Sequence, residues 1–120
     1  MCRMMTEHED LETLYDKLTQ ELRRGVLVLA ALSQLKDAKY GYALISDLAG
    51  QGLEVDQGTL YPLLRRLESQ GLLESQWNIE ESRPRRYYLL SPLGRQVLAR
   101  LSDDWRALDG VLARLLEDSR

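Results

Sequence analysis

Residues 56–71 read DQGTLYPLLRRLESQG, and the fold turns on how this stretch is read. Asp56 stands where a helix would be capped by a side chain that accepts a bond from an orphan amide. Leu60, Leu63, Leu64 and Leu67 then recur at the spacing of one helix face, and Gly71 supplies the stop. Outside that leucine floor lie Gln57, Gly58, Thr59, Tyr61, Arg65 and Arg66. Amide, hydroxyl and guanidinium groups on one exposed face have the chemistry to meet base edges and phosphates.

Upstream, residues 42–50 predict a helix with Leu44, Ile45 and Leu48 on one side, and Gly50 and Gly52 as its stop. Before it, residues 8–24 carry Leu11, Leu14, Tyr15, Leu18 and Leu22 at helical spacing, and from Gly25 the run GVLVLAALSQL is apolar nearly all round. Gly25 either separates two helices or admits a close neighbour, and the sequence leaves both open. The polar stretch 36–39 closes this element. Three helices with a short second-to-third turn form the core of a helix–turn–helix domain.

Downstream come two strand-like pieces, 72–79 and 85–90, around the turn Glu80-Glu81-Ser82-Arg83-Pro84. Trp77, Ile79, Tyr87 and Tyr88 give them strand character. Helices followed by one hairpin is the winged-helix order. Ser91 then caps a last helix with Pro92 in its first position. Leu98, Leu101, Trp105, Leu108, Leu112 and Leu115 step by three and four along it, a heptad seam. At about 25 residues this helix would span roughly 38 Å, more than a small domain can shield. The expected fold is mainly α with a small β component (α+β): an N-terminal helical extension over 1–22, a winged helix–turn–helix over 23–90 and a C-terminal dimerisation helix over 91–120. The seam, with the Leu11, Tyr15, Leu18 and Leu22 face, is the expected homodimer interface.

Composition excludes several classes. A chain of 120 residues, 44% hydrophobic and 29% charged, fits one ordinary globular domain. No apolar run reaches the roughly 18 residues of a membrane span, and the polar N-terminus does not resemble a secretory signal. The expectation is a cytoplasmic protein without membrane attachment. The one cysteine, Cys2, and the one histidine, His8, give one chain neither a disulfide nor a metal site. No clustered nucleophile and base stand ready for catalysis, so neither an enzyme nor a cofactor is expected.

Taken globally, the net charge of −3 opposes nucleic-acid binding, but it is unevenly spread. Residues 1–22 hold two basic and six acidic side chains, so the other 98 residues sum to +1. Their arginines cluster at 23–24, 65–66 and 83–86. Local cation density decides phosphate binding, because each contact releases condensed counterions whatever the distant charge.

In a winged helix the third helix enters the major groove with its N-terminal residues against the bases. Gln57 then suits an adenine edge, and the Thr59 methyl suits a thymine methyl. Gly58 permits close approach, Tyr61 suits a phosphate, and Arg65 suits guanine or phosphate. Arg66, one position round, is left out of that set. Pro62 removes a helical amide, a local cost that marks this turn's shape as wanted. On the hairpin tip, Arg83, Arg85 and Arg86 are the candidates for phosphates or the adjacent minor groove. Tyr87 and Tyr88 read as strand residues packing on the core.

Tyr40-Gly41-Tyr42, the run from Gly58 to Glu68, Gly71-Leu72-Leu73, and the run from Arg83 to Leu90 together resemble the PadR family of transcriptional regulators. The likeness covers residues 22–94, and its G-T-L-Y-P and R-x-R-x-Y-Y motifs are specific. Ser82 departs from it, standing where glycine is common. The resemblance implies a dimeric winged-helix repressor on a palindromic operator in double-stranded DNA, usually beside a detoxification or efflux operon. It adds Tyr40 and Tyr42 to the DNA contacts, and the length resembles the short subgroup with one C-terminal helix. Some similar regulators sense aromatic compounds at the dimer interface. Trp105, central in the seam, either lines such an effector site or simply fills the interface. The competing function is a protein-interaction module on a winged-helix scaffold, which the acidic N-terminus would suit.

Overall fold

The computed structural model describes residues 10–78 and 84–118. Cys2, His8, Ile79, Ser82 and Arg83 lie outside the described residues, with whatever the sequence implied for them. The chain is mainly helical with one small antiparallel sheet, in the order α1 (Leu11–Gln34), β1 (Lys39–Tyr40), α2 (Gly41–Gly50), α3 (Gln57–Ser69), β2 (Leu73–Asn78), β3 (Arg85–Leu90) and α4 (Pro92–Asp118).

α1 starts where the Asp10 carboxylate accepts the Thr13 amide at 2.9 Å. That bond to the anion holds the carboxyl below its ordinary range. The helix then runs unbroken for 24 residues, across position 22–23 and through Gly25. A Cβ added at Gly25 would meet nothing within 4 Å. Neither role left open for Gly25 is therefore realised. Its helix-propensity cost, about 1 kcal/mol, falls next to the well-anchored end where Leu27, Ala31 and Leu32 are buried.

The turn between α2 and α3 is built on Gly52, whose φ of +99° is a left-handed conformation that side chains resist. The Leu53 amide reaches back to the Leu48 carbonyl at 2.8 Å and closes the end of α2. Asp56 caps α3 as expected, accepting the Thr59 amide at 2.8 Å. Leu60, Leu64 and Leu67 then point inward with Leu32, Leu35 and Leu44, all of them essentially inaccessible. Ser91 does two things at once. Its hydroxyl accepts the Gly94 amide at 2.9 Å to cap α4, and donates to the Gly71 carbonyl at 2.6 Å.

The sheet differs from the expected single hairpin. β3 pairs with β2 from Leu73↔Leu90 to Asn78↔Arg85, and on its other edge with β1, Lys39↔Tyr88 and Tyr40↔Tyr87. Two residues are too few to show a period, and in the sequence Lys39 reads only as the end of the polar stretch 36–39 that closes the helix before it. β1 exists because β3 offers an open edge.

The seam along α4 also divides. Leu98, only 7% exposed, belongs to the chain's own core, and Leu101 packs against it. Beyond them Trp105, Leu108, Leu112 and Leu115 stand exposed, as do Leu11, Tyr15, Leu18 and Leu22 on α1. The reason is geometric. A helix of 27 residues is roughly 40 Å long, and the core underlies only its first turns. Among the described residues, no helix is long and apolar enough to cross a membrane.

Candidate nucleic-acid interface

α3 is held from below by Leu60, Leu64 and Leu67, with Leu63 packed beside them, so its polar side chains turn outward. Gln57, Gly58, Thr59, Arg65 and Arg66 are all exposed. Tyr61 is half-buried for a specific reason. A Cβ on Gly41 would come within 2.6 Å of its ring, so the ring lies directly against the start of α2. Gly41 between two tyrosines is thus a seat for Tyr61, and it fixes how α3 crosses α2. Tyr42 next to it is 67% exposed.

The sheet adds the second side of the surface. On β1, Tyr40 accepts the Asn78 Nδ2 amide at 2.8 Å, meets Tyr87 edge-to-face at 5.7 Å, and carries the Arg85 guanidinium 4.8 Å above its ring. Tyr40 therefore ties the open ends of β2 and β3 to α2 and orients Arg85. Between this corner and α3 lies a groove of about 600 Å³, bordered by Tyr40, Tyr42, Gln57, Tyr61, Arg65, Trp77 and Arg85. The structure thus brings together, on one concave face, four aromatic or amide side chains of the expected set, Tyr40, Tyr42, Gln57 and Tyr61, and three of its arginines, Arg65, Arg85 and Arg86.

Arg86 also makes bonds within the fold. It bonds to Glu68 of α3, Nη2 to Oε1 at 2.7 Å, and its Nε donates to the Ser75 hydroxyl at 3.0 Å. Ser75 in turn donates to the other Glu68 oxygen. The guanidinium also lies over the Trp77 and Tyr88 rings, at 5.9 and 5.6 Å. Arg86, a DNA contact in the reading of the sequence, lines the groove and also forms a strut between the wing and α3. Strand alternation explains it, since Arg86 and Tyr88 share the face turned to α3, whereas Arg85 and Tyr87 share the other. Burial pushes the Tyr88 hydroxyl above the ordinary phenol range, opposed by the charge of Arg86.

Glu68, Ser75 and Trp77 escaped the reading of the sequence. Period-two alternation from the buried Leu73 would have placed Ser75 and Trp77 toward α3, but nothing local marks their partners. Replacing Glu68 by glutamine is expected to lower stability by about 1 kcal/mol in urea unfolding. The modest size follows from exposure, 35% for Arg86 and 27% for Glu68. An unchanged unfolding midpoint would show the strut to be idle.

Away from this face, Arg23 donates to the Glu54 carbonyl, tying α1 to the turn before α3. Lys39 pairs with Asp47 at 2.7 Å. A second recess, about 300 Å³, lies between α1 and α4 and is lined by Val26, Leu29, Ala30, Leu98 and Trp105. Among the described residues, no cluster of three or more metal-ligating side chains occurs.

The comparisons with known proteins agree with this geometry. Residues 28–100 match the model of the PadR-like family of transcriptional regulators. The transcriptional regulator Rv3488 of Mycobacterium tuberculosis is 38% identical over 98 residues, 81% of this chain and 89% of that protein. A crystal structure of a PadR family transcriptional regulator from Eggerthella lenta superposes with a TM-score of 0.81 at 45% identity, covering 88% of this chain and 95% of that one. A PadR-like transcription factor from Bacteroides fragilis gives 0.70 at 32% identity, over 82% and 98% of the two chains. These relatives are regulators of transcription rather than enzymes, and the family match runs from the end of α1 through α2, α3 and the sheet to the first turns of α4. The chain belongs to the PadR-like family of transcriptional regulators and has the family's winged-helix DNA-binding fold.

Proposed function

We propose that two copies of this chain bind one palindromic operator and repress the genes beside it. The observation that carries this reading is the shared orientation of the α3 outer face and the Arg85 corner, which flank one groove. Gln57 and Thr59 read base edges, and Gly58 allows the backbone close. Tyr42, Tyr61, Arg65 and Arg85 take phosphates, with Arg83 on the wing tip as a further contact. Tyr40 serves this set by orienting Arg85. The protein acts where the DNA is, in the cytoplasm, and performs no catalysis.

The second copy is supported by the exposed apolar faces of α1 and α4. Leu11, Tyr15, Leu18 and Leu22 on one helix, with Trp105, Leu108, Leu112 and Leu115 on the other, leave a large apolar area in water. Exposed apolar residues repeated along two helices point to an interface, and a twofold pairing would set the recognition helices about 34 Å apart. Trp105, bordering the apolar recess beside α1, is the residue through which a small aromatic or phenolic compound would release the operator.

The expected result is a mobility shift of the DNA upstream of the protein's own gene, with sedimentation giving twice the chain mass. Phenolic acids and aromatic cations that abolish the shift are expected to quench Trp105 emission. A monomer in sedimentation removes the dimer. Absence of any shift at low salt removes direct DNA readout and leaves the protein-interaction module.

A further inference from the structure

We propose that Trp77 is a DNA contact of the wing, and that the groove between it and α3 seats one sugar–phosphate strand of the duplex. The inference rests on the reading that α3 lies in the major groove, and adds to it a residue and a mode of contact.

Trp77 lies on β2 two positions beyond Ser75 and four beyond Leu73, so all three project from the same face of the sheet. That face turns toward α3. Leu73 is buried in the core and Ser75 is bonded to Glu68. By Trp77 the core has ended while the strand continues, which leaves the indole 59% exposed. Its orientation is nonetheless set. Arg86, itself held by Glu68, lies over the ring at 5.9 Å and covers one side of it. A large aromatic side chain held in place with its remaining surface open is a wall waiting for something to lie against it.

The groove's chemistry says what that is. Tyr40, Tyr42 and Tyr61 share the groove with Trp77, and Gln57, Arg65, Arg85 and Arg86 are among the rest of its lining. Among the described residues that line it, none is acidic, although the whole chain carries −3. Apolar ring faces interleaved with guanidinium groups complement the alternation of deoxyribose and phosphate along one strand. In this arrangement the arginines take the phosphates, and the indole packs on a sugar.

The test uses the upstream DNA fragment that the full-length wild-type chain shifts. Trp77→Ala is expected to weaken binding about tenfold, the scale of one lost aromatic contact. Its log K against log salt line is expected to keep the wild-type slope, because an indole releases no counterions. Trp77→Phe is expected to restore most of the affinity. Hydroxyl radicals attack deoxyribose, so footprinting reads the sugar contact itself. Trp77→Ala is expected to lose protection at the sugars flanking the α3 segment while the remainder persists. Wild-type affinity and footprint in Trp77→Ala overturn the proposal and leave the operator reading intact. A flattened salt slope or a lowered thermal midpoint in that variant also overturns it, since the residue then acts on charge placement or folding. A wild-type chain that shifts no duplex sinks both readings.

Discussion

Alanine at both Arg65 and Arg85 is expected to lower operator affinity by at least about 100-fold and to flatten its salt dependence. Each arginine lost from a phosphate leaves about one counterion bound, so the slope of log K against log salt should fall by about 1.8 per protomer. Both residues are exposed, and substitutions of exposed side chains usually change stability by less than about 0.5 kcal/mol. The double variant should therefore melt like the wild type, which separates lost contact from lost fold. A lysine pair in place of the arginines should keep the slope but lose part of the affinity, because an ammonium cannot grip a phosphate with two parallel bonds. Fluorescence anisotropy across a potassium chloride series reads all three proteins. Parallel lines for wild type and the alanine pair would remove both residues from the interface.

Gly94→Ala is expected to cost about 3 kcal/mol, the upper end for overpacking a tight site, and to lower the melting temperature by roughly 10 °C or more. A Cβ there would sit 2.1 Å from the Leu72 carbonyl oxygen and 3.0 Å from Leu90 Cδ2. The carbonyl has nowhere to go. It already accepts the Ser91 amide at 3.0 Å, and Ser91 is the residue that caps α4 and ties it to the end of α3. Relief must come from lifting the start of α4, which changes the direction in which its exposed half leaves the domain. In the proposed dimer that direction sets the distance between recognition helices, so operator affinity should fall further than stability alone accounts for. Gly110→Ala is the control. Its Cβ would meet only Arg114 Nη1, at 3.8 Å, and alanine in a helix interior with room for the methyl should stabilise by about 0.5–1 kcal/mol. Thermal melts of the two variants check this directly. A Gly94→Ala protein as stable as the wild type would show that α4 does not depend on that close approach.

The local elements were legible because their causes are local. Asp56 and Thr59 lie three residues apart, as do Ser91 and Gly94, so each capping bond can be read from one short window. The leucines of α3 repeat at the helical period, and that alone places Leu60, Leu64 and Leu67 inward and the polar face outward. β1 was not legible, since Lys39 and Tyr40 become a strand only when Tyr87 and Tyr88 arrive beside them. Gly25 gave no clue to its outcome either. An unbroken helix there depends on how firmly the buried half of α1 is held, not on the glycine.

By itself the sequence determined the order of helices and strands, the capped ends, the outward display of Gln57, Thr59 and Arg65, and the family. All of these follow from contacts within a turn or two of helix, or from residue types whose spacing is preserved along the chain. Only the tertiary structure decided which arginine of the Arg85-Arg86 pair is tied to α3, because Glu68, 18 residues from Arg86, pairs with its guanidinium. It alone divided the apolar row of α4, sending Leu98 into the core and leaving Trp105 outside. It alone left Trp77 exposed at the end of a face that is otherwise buried. In each case the residue's own chemistry permits two fates, and the choice falls to where the core stops, a boundary formed by segments far apart in sequence.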